Sequence, residues 1–152
     1  MAWIKGKLDR TFIIDAPLED VLAFFSDPDA FKEAFVGLEK AEEVEPGVWH
    51  WTLEEQNEKG IKFQPSYRVK YARESDVSTK WEAVEGNMRS SGSAKFRALS
   101  GKTEVEYHEQ IETDLPIPRL AAKIFSPIVS RQVAAGVGDF LDRAKNLIES
   151  RA

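Results

Sequence analysis

The most constraining feature of the sequence is a series of about six strand-like segments between Leu38 and Leu115. Hydrophobic residues recur there with a period of two, which is typical of half-buried strands. Short turn signals separate the segments at Glu45–Gly47, Glu58–Gly60, Ser75–Asp76, Gly86–Asn87 and Ser100–Lys102. Parallel strands need long crossovers, whereas these connections are short. The pattern therefore predicts an antiparallel sheet in which most successive strands are neighbours.

One further strand and several helices flank this predicted sheet. Alternation over Ile4–Ile14 predicts a first strand, and the apolar spacing after it predicts two short helices. After Pro118 the apolar residues recur at steps of three and four, which predicts a long C-terminal helix. Ser126–Pro127 is either the cap of that helix or a kink in it. A curved sheet of seven strands wrapped on the long helix is the compact arrangement, an α+β fold in one domain over 1–152.

Composition and charge exclude several classes of protein. The 152-residue chain is 42% hydrophobic and carries a net charge of -5, which argues against binding to nucleic acid. It has no cysteine and two histidines, so we expect no disulfide, no metal site and no cofactor. No apolar run approaches the length of about 18 residues that a transmembrane helix needs. The segment Met1–Lys7 lacks a signal core, which predicts a cytoplasmic protein, and nothing indicates an oligomeric state.

The end of the first strand carries a recognisable motif. The segment Ile13–Val21, with Phe25–Pro28 after it, resembles the START-like (SRPBCC) superfamily, and most closely its bacterial polyketide cyclase/dehydrase and lipid-transport group. That resemblance covers nearly the whole chain and implies the helix-grip fold, with a ligand cavity between the sheet and the C-terminal helix. One departure is Pro65, which falls inside the predicted strand Ile61–Tyr71 and indicates a bulge or break there.

Strand alternation places large aromatic residues and very small ones on the same face of the predicted sheet. A mixture of this kind, covered by a helix, either fills the core or leaves a void lined by rings. Gly136 and Gly138 in the long helix have the same two interpretations, since they either let the helix approach the sheet or leave room for a ligand. The residues predicted to bind a ligand are Trp49, Trp51, Phe63, Tyr67, Trp81, Phe96, Tyr107, Glu109, Arg10, Val133 and Val137.

Three charged residues, Glu109, Arg10 and Glu85, interrupt the apolar alternation of the predicted strands. Glu109 lies between Tyr107 and Ile111, and Arg10 lies on the apolar side of the first strand. Each is either solvated at a strand end or buried, and a buried charge needs a partner. Because the first and last strands are expected to be neighbours, a pair between Arg10 and Glu109 is geometrically possible. Burial would raise the pKa of Glu109 and such a pair would lower it.

The sequence lacks a clear catalytic constellation. His50 and His108 both face outward in the predicted strands, which removes the usual general base. The run Ser90–Ser93 is interpreted as a turn or a strand edge and not as a nucleophile. Glu109, with tyrosines as hydrogen-bond donors, is the one combination that could serve catalysis.

Three functions of different classes are compatible with these observations. The favoured one is binding or carriage of a hydrophobic small molecule, such as a lipid, a quinone or a polyketide-like compound, without assigned catalytic residues. The first alternative is an enzyme of the cyclase or aromatase kind that acts in the same cavity, with Glu109 as acid or base. The second is an interaction module like the chaperone-activating members of the fold, which requires an exposed apolar patch.

Overall fold

A computed structural model describes residues 2–152. Two short stretches of 3-10 helix, Lys32–Ala34 and Arg119–Ala121, accompany the regular elements. The strands and helices are, in chain order, β1 (Ala2–Ile14), α1 (Leu18–Ser26), α2 (Pro28–Phe31), β2 (Leu38–Glu45), β3 (Val48–Leu53), β4 (Gln56–Glu58), β5 (Ile61–Phe63), β6 (Ser66–Ser75), β7 (Ser78–Gly86), β8 (Met88–Leu99), β9 (Lys102–Leu115) and α3 (Ala122–Arg151).

The main sheet has seven strands in the order β1-β9-β8-β7-β6-β3-β2, and every neighbouring pair is antiparallel. This confirms the predicted seven-stranded antiparallel sheet with two short helices after its first strand and a long helix at its end. The first and last strands pair along their whole length, from Ala2 opposite Leu115 to Ile14 opposite Thr103. Successive side chains therefore alternate between a face that α3 covers and a face open to solvent.

The region around Pro65 differs from the single strand predicted over Ile61–Tyr71. The predicted strand is interrupted at Pro65, which has no backbone N–H to donate, and β6 begins only at Ser66. The residues before the break form β5, which pairs with β4 in a separate two-stranded hairpin. Sequence alternation does not distinguish this hairpin from the main sheet, because its strands are only three residues long.

The helix α3 is continuous over 30 residues and contains Pro127 in its second turn. The alternative in which Ser126–Pro127 caps a new helix is therefore wrong. Pro127 is the sixth residue of α3, beyond the four N-terminal residues whose donors lack intrahelical partners, so it removes one backbone hydrogen bond from the helix. None of the helices in residues 2–152 is long and apolar enough to cross a membrane. A cytoplasmic location stays a prediction.

Two apolar clusters lie between the sheet and α3. The larger one joins α1, α2 and the aromatic residues of the sheet to the C-terminal half of α3, where Leu141 and Ala144 are fully buried. The smaller one surrounds Val129 in the N-terminal half of α3, together with Ile4 and Leu115. The clusters meet at Val133, which packs against both of them.

Candidate functional site

A cavity of about 380 Å³ lies between the concave face of the sheet and α3. Its walls are mostly apolar and aromatic, and both the sheet and the helix contribute to them. The inner wall on the sheet includes Tyr67, Trp81, Tyr107 and Ile111, the wall on α3 includes Phe125, Val129, Val133, Val137 and Phe140, and the hairpin adds Ile61 and Phe63. Its volume falls within the range of about 300–1,000 Å³ that is typical of small-molecule sites.

The cavity opens to solvent beside the β4–β5 hairpin. Exposed residues line it there, namely Val36 before β2, Gln56 on β4, and Gln132, Gly136 and Asp139 on α3. The amide of Gln132 donates a hydrogen bond of 3.0 Å to Oε2 of Glu58, which connects α3 to the hairpin across this opening. The mouth is therefore bordered by polar residues, whereas the interior is apolar.

The structure brings most of the predicted ligand-binding residues to one cavity and separates the others from it. The residues that line it are Phe63, Tyr67, Trp81, Tyr107, Glu109, Val133 and Val137. Trp49, Trp51 and Phe96 are buried but lie in the filled part of the core. Trp51 stacks between Trp49 and Phe35, with ring centroids 5.6 and 4.6 Å away, and Phe96 packs against Phe25 at 5.6 Å. Neighbouring rings, and not a cavity, occupy the space around these three residues.

Arg10 does not pair with Glu109. Its guanidinium Nη1 lies 3.0 Å from Oδ1 of Asp142, and it donates to the carbonyl of Gly138 at 3.5 Å. The strand register explains the difference, because Arg10 lies opposite Tyr107, and Leu8 is the residue opposite Glu109. Arg10 therefore extends toward α3 and connects β1 to that helix outside the cavity.

Glu109 belongs to a row of residues that crosses three strands. Trp81 on β7 pairs with Gly92 on β8, and Gly92 pairs with Glu109 on β9. Because Gly92 has no side chain, the indole of Trp81 reaches across it and donates from Nε1 to Oε2 of Glu109 at 2.6 Å. A Cβ at position 92 would lie 2.7 Å from Cζ2 of Trp81. The glycine is thus a steric requirement of the contact between Trp81 and Glu109.

The carboxyl group of Glu109 is poorly hydrated, and it retains some accessible surface because it lines the cavity. Burial raises its pKa to about 8, against the opposing effect of the hydrogen bonds from Trp81 and from the hydroxyl of Ser90, 3.2 Å from Oε2. Both hydrogen bonds reach Oε2, so Oε1 has no partner among the described residues. At neutral pH the group is therefore mainly the uncharged acid.

Three tyrosine hydroxyls accompany Glu109 along the cavity wall. Burial raises the pKa of Tyr67, Tyr71 and Tyr107 well above the ordinary value, and the nearby negative charge of Glu109, when it is present, raises each of them further. The hydroxyl of Tyr71 accepts a hydrogen bond of 2.9 Å from Nε1 of Trp51. All three phenols therefore stay protonated and can act as hydrogen-bond donors.

The two glycines of α3 have different roles. Gly138 is buried, and a Cβ there would lie 2.9 Å from Nη2 of Arg10, so this glycine makes room for the arginine. Gly136 lies at the mouth, and a Cβ there would meet no atom within 4 Å. Close approach of α3 to the sheet is instead set by Gly6 of β1, where an added Cβ would lie 2.6 Å from Cβ of Val133.

Sequence reasoning missed Ser90 in the interior and the polar residues at the mouth, Gln56, Glu58, Gln132 and Asp139. Ser90 is not in a turn, since β8 runs from Met88 to Leu99, and there it pairs with Ile111 of β9 while the pairing of β8 with β7 begins only at Gly92. The signal was present, because Ser90 is two residues from Gly92 and alternation places both on the same face. The contributions of Phe35 before β2 and of Phe125 on α3 had no such signal, because they depend on how separate elements pack.

The two histidines lie away from the cavity. Nδ1 of His108 is 2.7 Å from Oδ1 of Asp9, and Nε2 of His50 is 2.9 Å from the hydroxyl of Ser66. Neither residue lines the cavity. Within the described part of the chain, no group of three or more histidine or carboxylate side chains is placed to hold a metal ion.

Comparison with solved structures identifies the fold. No protein-family model and no curated protein matches the sequence. The protein TTHA0849 from Thermus thermophilus has a TM-score of 0.75 at 18% identity, over 97% of this chain and 99% of that one. A START superfamily protein from Mycobacterium smegmatis gives 0.74 at 12% identity, over 96% and 99% of the two chains. The Zhui aromatase/cyclase from Streptomyces gives 0.73 at 13% identity, over 97% and 95%. The chain therefore has the START-like helix-grip fold.

Proposed function

We propose that this protein binds a mostly apolar small molecule in the cavity between the sheet and α3. The observation that supports this most directly is the cavity itself, about 380 Å³ in volume with aromatic walls and one cluster of polar groups in its interior. Sites for small molecules commonly combine an apolar wall with a few placed polar groups that orient the ligand. Here the walls supply the binding energy, and Glu109 with the adjacent tyrosines orients the polar end of the ligand.

Blocking the cavity tests this proposal. Ile111→Trp places a larger side chain inside the cavity, and Gln110→Trp places the same side chain on the opposite face of β9 as a matched control. Naphthalene-based ligands are titrated by calorimetry into the wild type and both variants. We expect the wild type and Gln110→Trp to bind with similar affinity and Ile111→Trp to lose binding. Equal affinity of all three proteins would place any bound ligand outside the cavity.

A separate experiment can identify the natural ligand. Native mass spectrometry of the protein purified from its own host is expected to show an additional mass that denaturation releases. An apolar compound that co-purifies with the wild type and not with Ile111→Trp would support the proposal and identify the class of ligand.

A second candidate is an enzyme of the cyclase type that acts in the same cavity. The observation in its favour is Glu109, an acid whose pKa is raised to about 8 by burial and whose Oε1 is free. Such a group can donate a proton to a carbonyl oxygen while the cavity holds a flexible chain in a reactive shape. Incubation with a linear polyketone would reveal this activity as loss of water in the mass spectrum. Glu109→Gln is expected to stop the reaction without abolishing binding.

A further inference from the structure

The charges that line the cavity are all acidic. Glu109 lies in the interior and Glu58 and Asp139 lie near the mouth, and no Lys, Arg or His of residues 2–152 lines the cavity. Arg10, the cation on the same face of the sheet, is held by Asp142 outside it. A carboxylate ligand would therefore lose its hydration without gaining a positive partner, and such a loss is costly in a poorly hydrated site.

The interior is rich in hydrogen-bond donors without partners. The side-chain hydrogen bonds at the site join Trp51 to Tyr71, and Trp81 and Ser90 to Glu109, so the hydroxyls of Tyr67 and Tyr107, which also line the cavity, have no partner among the described residues. Tyr71 accepts from Trp51 and retains its own proton. In the acid form of Glu109, Oε2 already accepts two hydrogen bonds, so the proton belongs on Oε1, which has no protein partner. Each of these groups can donate to a ligand.

We propose that the cavity selects uncharged ligands that present a carbonyl oxygen to these donors, and that it discriminates against carboxylates of the same size. This inference rests on the proposed binding function and narrows its ligand class. A carbonyl oxygen has two lone pairs and can accept from Oε1 of Glu109 and from a tyrosine hydroxyl at once.

The same geometry makes binding sensitive to pH. The titratable and charged groups around Glu109 are Tyr67 and Tyr71 on β6, Tyr107 on β9, Glu58 on β4, Asp139 on α3 and Arg10 on β1. The neighbouring strands β7 and β8 contribute Trp81 and Ser90, which do not titrate. Ionisation of Glu109 removes the Oε1 donor and places a negative charge beside the carbonyl oxygen. The affinity for a ketone should therefore fall when the pH exceeds the pKa of about 8.

Three naphthalene derivatives of similar size test the selectivity by calorimetry at pH 6.5. They are 2-acetylnaphthalene, 2-isopropylnaphthalene and 2-naphthoate. We expect the ketone to bind about tenfold more tightly than the isopropyl compound, because about one net hydrogen bond separates them. The carboxylate should bind more weakly than the isopropyl compound. If the carboxylate or the isopropyl compound binds as tightly as the ketone, the proposed selectivity is wrong, although the cavity is a binding site.

The pH arm uses the ketone alone, at pH 6.5 and pH 9. Its affinity for the wild type should fall about tenfold, since about one tenth of Glu109 remains protonated one unit above its pKa. Glu109→Gln retains a donor that does not titrate, so its affinity should be similar at the two values. An unchanged wild-type affinity would overturn the role of the Glu109 donor. If none of the three ligands binds the wild type, the proposed function fails and the selectivity with it.

Discussion

The two halves of the space between the sheet and α3 differ in how they are packed. At the end covered by α1 and α2, Phe31 packs against Trp51 and Phe25 packs against Phe96, and neither Trp51 nor Phe96 reaches the cavity that Phe25 and Phe31 border. At the end covered by the N-terminal half of α3 and the β4–β5 hairpin, side chains of similar character surround an open volume of about 380 Å³. Aromatic content alone therefore does not decide between a core and a binding site.

The connections of α3 to the rest of the molecule differ between the halves in the same way. At the filled end Leu141, Ala144 and Ile148 are buried, and Arg143 donates to the carbonyl of Ala34 at 3.1 Å. At the open end the exposed Gln132 reaches the hairpin through its contact with Glu58. We infer that the filled half provides most of the stability and that the open half is free to provide binding.

The largest expected effect is a loss of stability when a buried side chain of the filled half is truncated. Leu141→Ala removes a fully buried side chain from the filled half and should lower the free energy of unfolding by about 2–5 kcal/mol. Leu120→Ala, at a residue that is 89% exposed before α3, should change it by less than about 0.5 kcal/mol. Urea denaturation measures both changes. A loss of similar size for the two variants would contradict the packing described here.

The second prediction uses the pH dependence of Glu109. Its carboxyl stays protonated in the folded state up to a pKa of about 8, whereas the unfolded chain has the ordinary value of 4.5. Between these values the folded state binds more protons, so the stability that Glu109 contributes falls as the pH rises. Relative to Glu109→Gln, the wild type should lose about 2–4 kcal/mol of stability across this window. The full shift at about 1.4 kcal/mol per pH unit would give about 5 kcal/mol, and the loss is smaller because the cavity is open to water. Parallel curves of stability against pH for the two proteins would show that Glu109 is hydrated.

The third prediction concerns the boundary between the halves, where the indole of Trp81 crosses Gly92. In Gly92→Ala the new Cβ would collide with the indole and with the backbone carbonyl of His108. We expect a loss of about 1–3 kcal/mol in stability and a change in tryptophan fluorescence, because the indole must move. Ser91→Ala, on the opposite face of β8, is the control and should leave both properties nearly unchanged. A fluorescence spectrum like that of the wild type would argue against the contact between Trp81 and Glu109.

The smallest expected effect is the difference in stability between alanine substitutions at the two glycines of α3. Gly136→Ala meets open space at the mouth and should stabilise the protein by about 1 kcal/mol through helix propensity, with little effect on binding. Gly138→Ala should lack this gain, because its Cβ would displace Arg10 from the carbonyl of Gly138. Thermal denaturation of the two variants measures the difference. Equal stabilisation by both substitutions would mean that Gly138 is not required by the arginine.

The overall architecture follows from local information in the sequence. Three local patterns predict a seven-stranded antiparallel sheet with a long helix. They are the alternation of apolar residues with a period of two, the short turns, and the apolar residues that recur at steps of three and four after Pro118. The break at Pro65 is also local, because proline lacks a donor in any context. Alternation likewise places Trp81, Gly92 and Glu109 on one face before any pairing is known.

The cavity and its polar row depend on the tertiary structure, because they depend on which residues of distant strands lie opposite each other. Alternation leaves the register open, and the register gives Glu109 the neighbours Gly92 and Leu8 and directs Arg10 to Asp142. The filled and open halves contain the same kinds of residue, and the difference comes from where α1, α2 and the hairpin pack against the sheet. Local alternation sets which face of each strand and helix is apolar. Only their packing decided which part of the apolar face became core and which part became cavity, because a void depends on the distance between elements and not on the residues of any one of them.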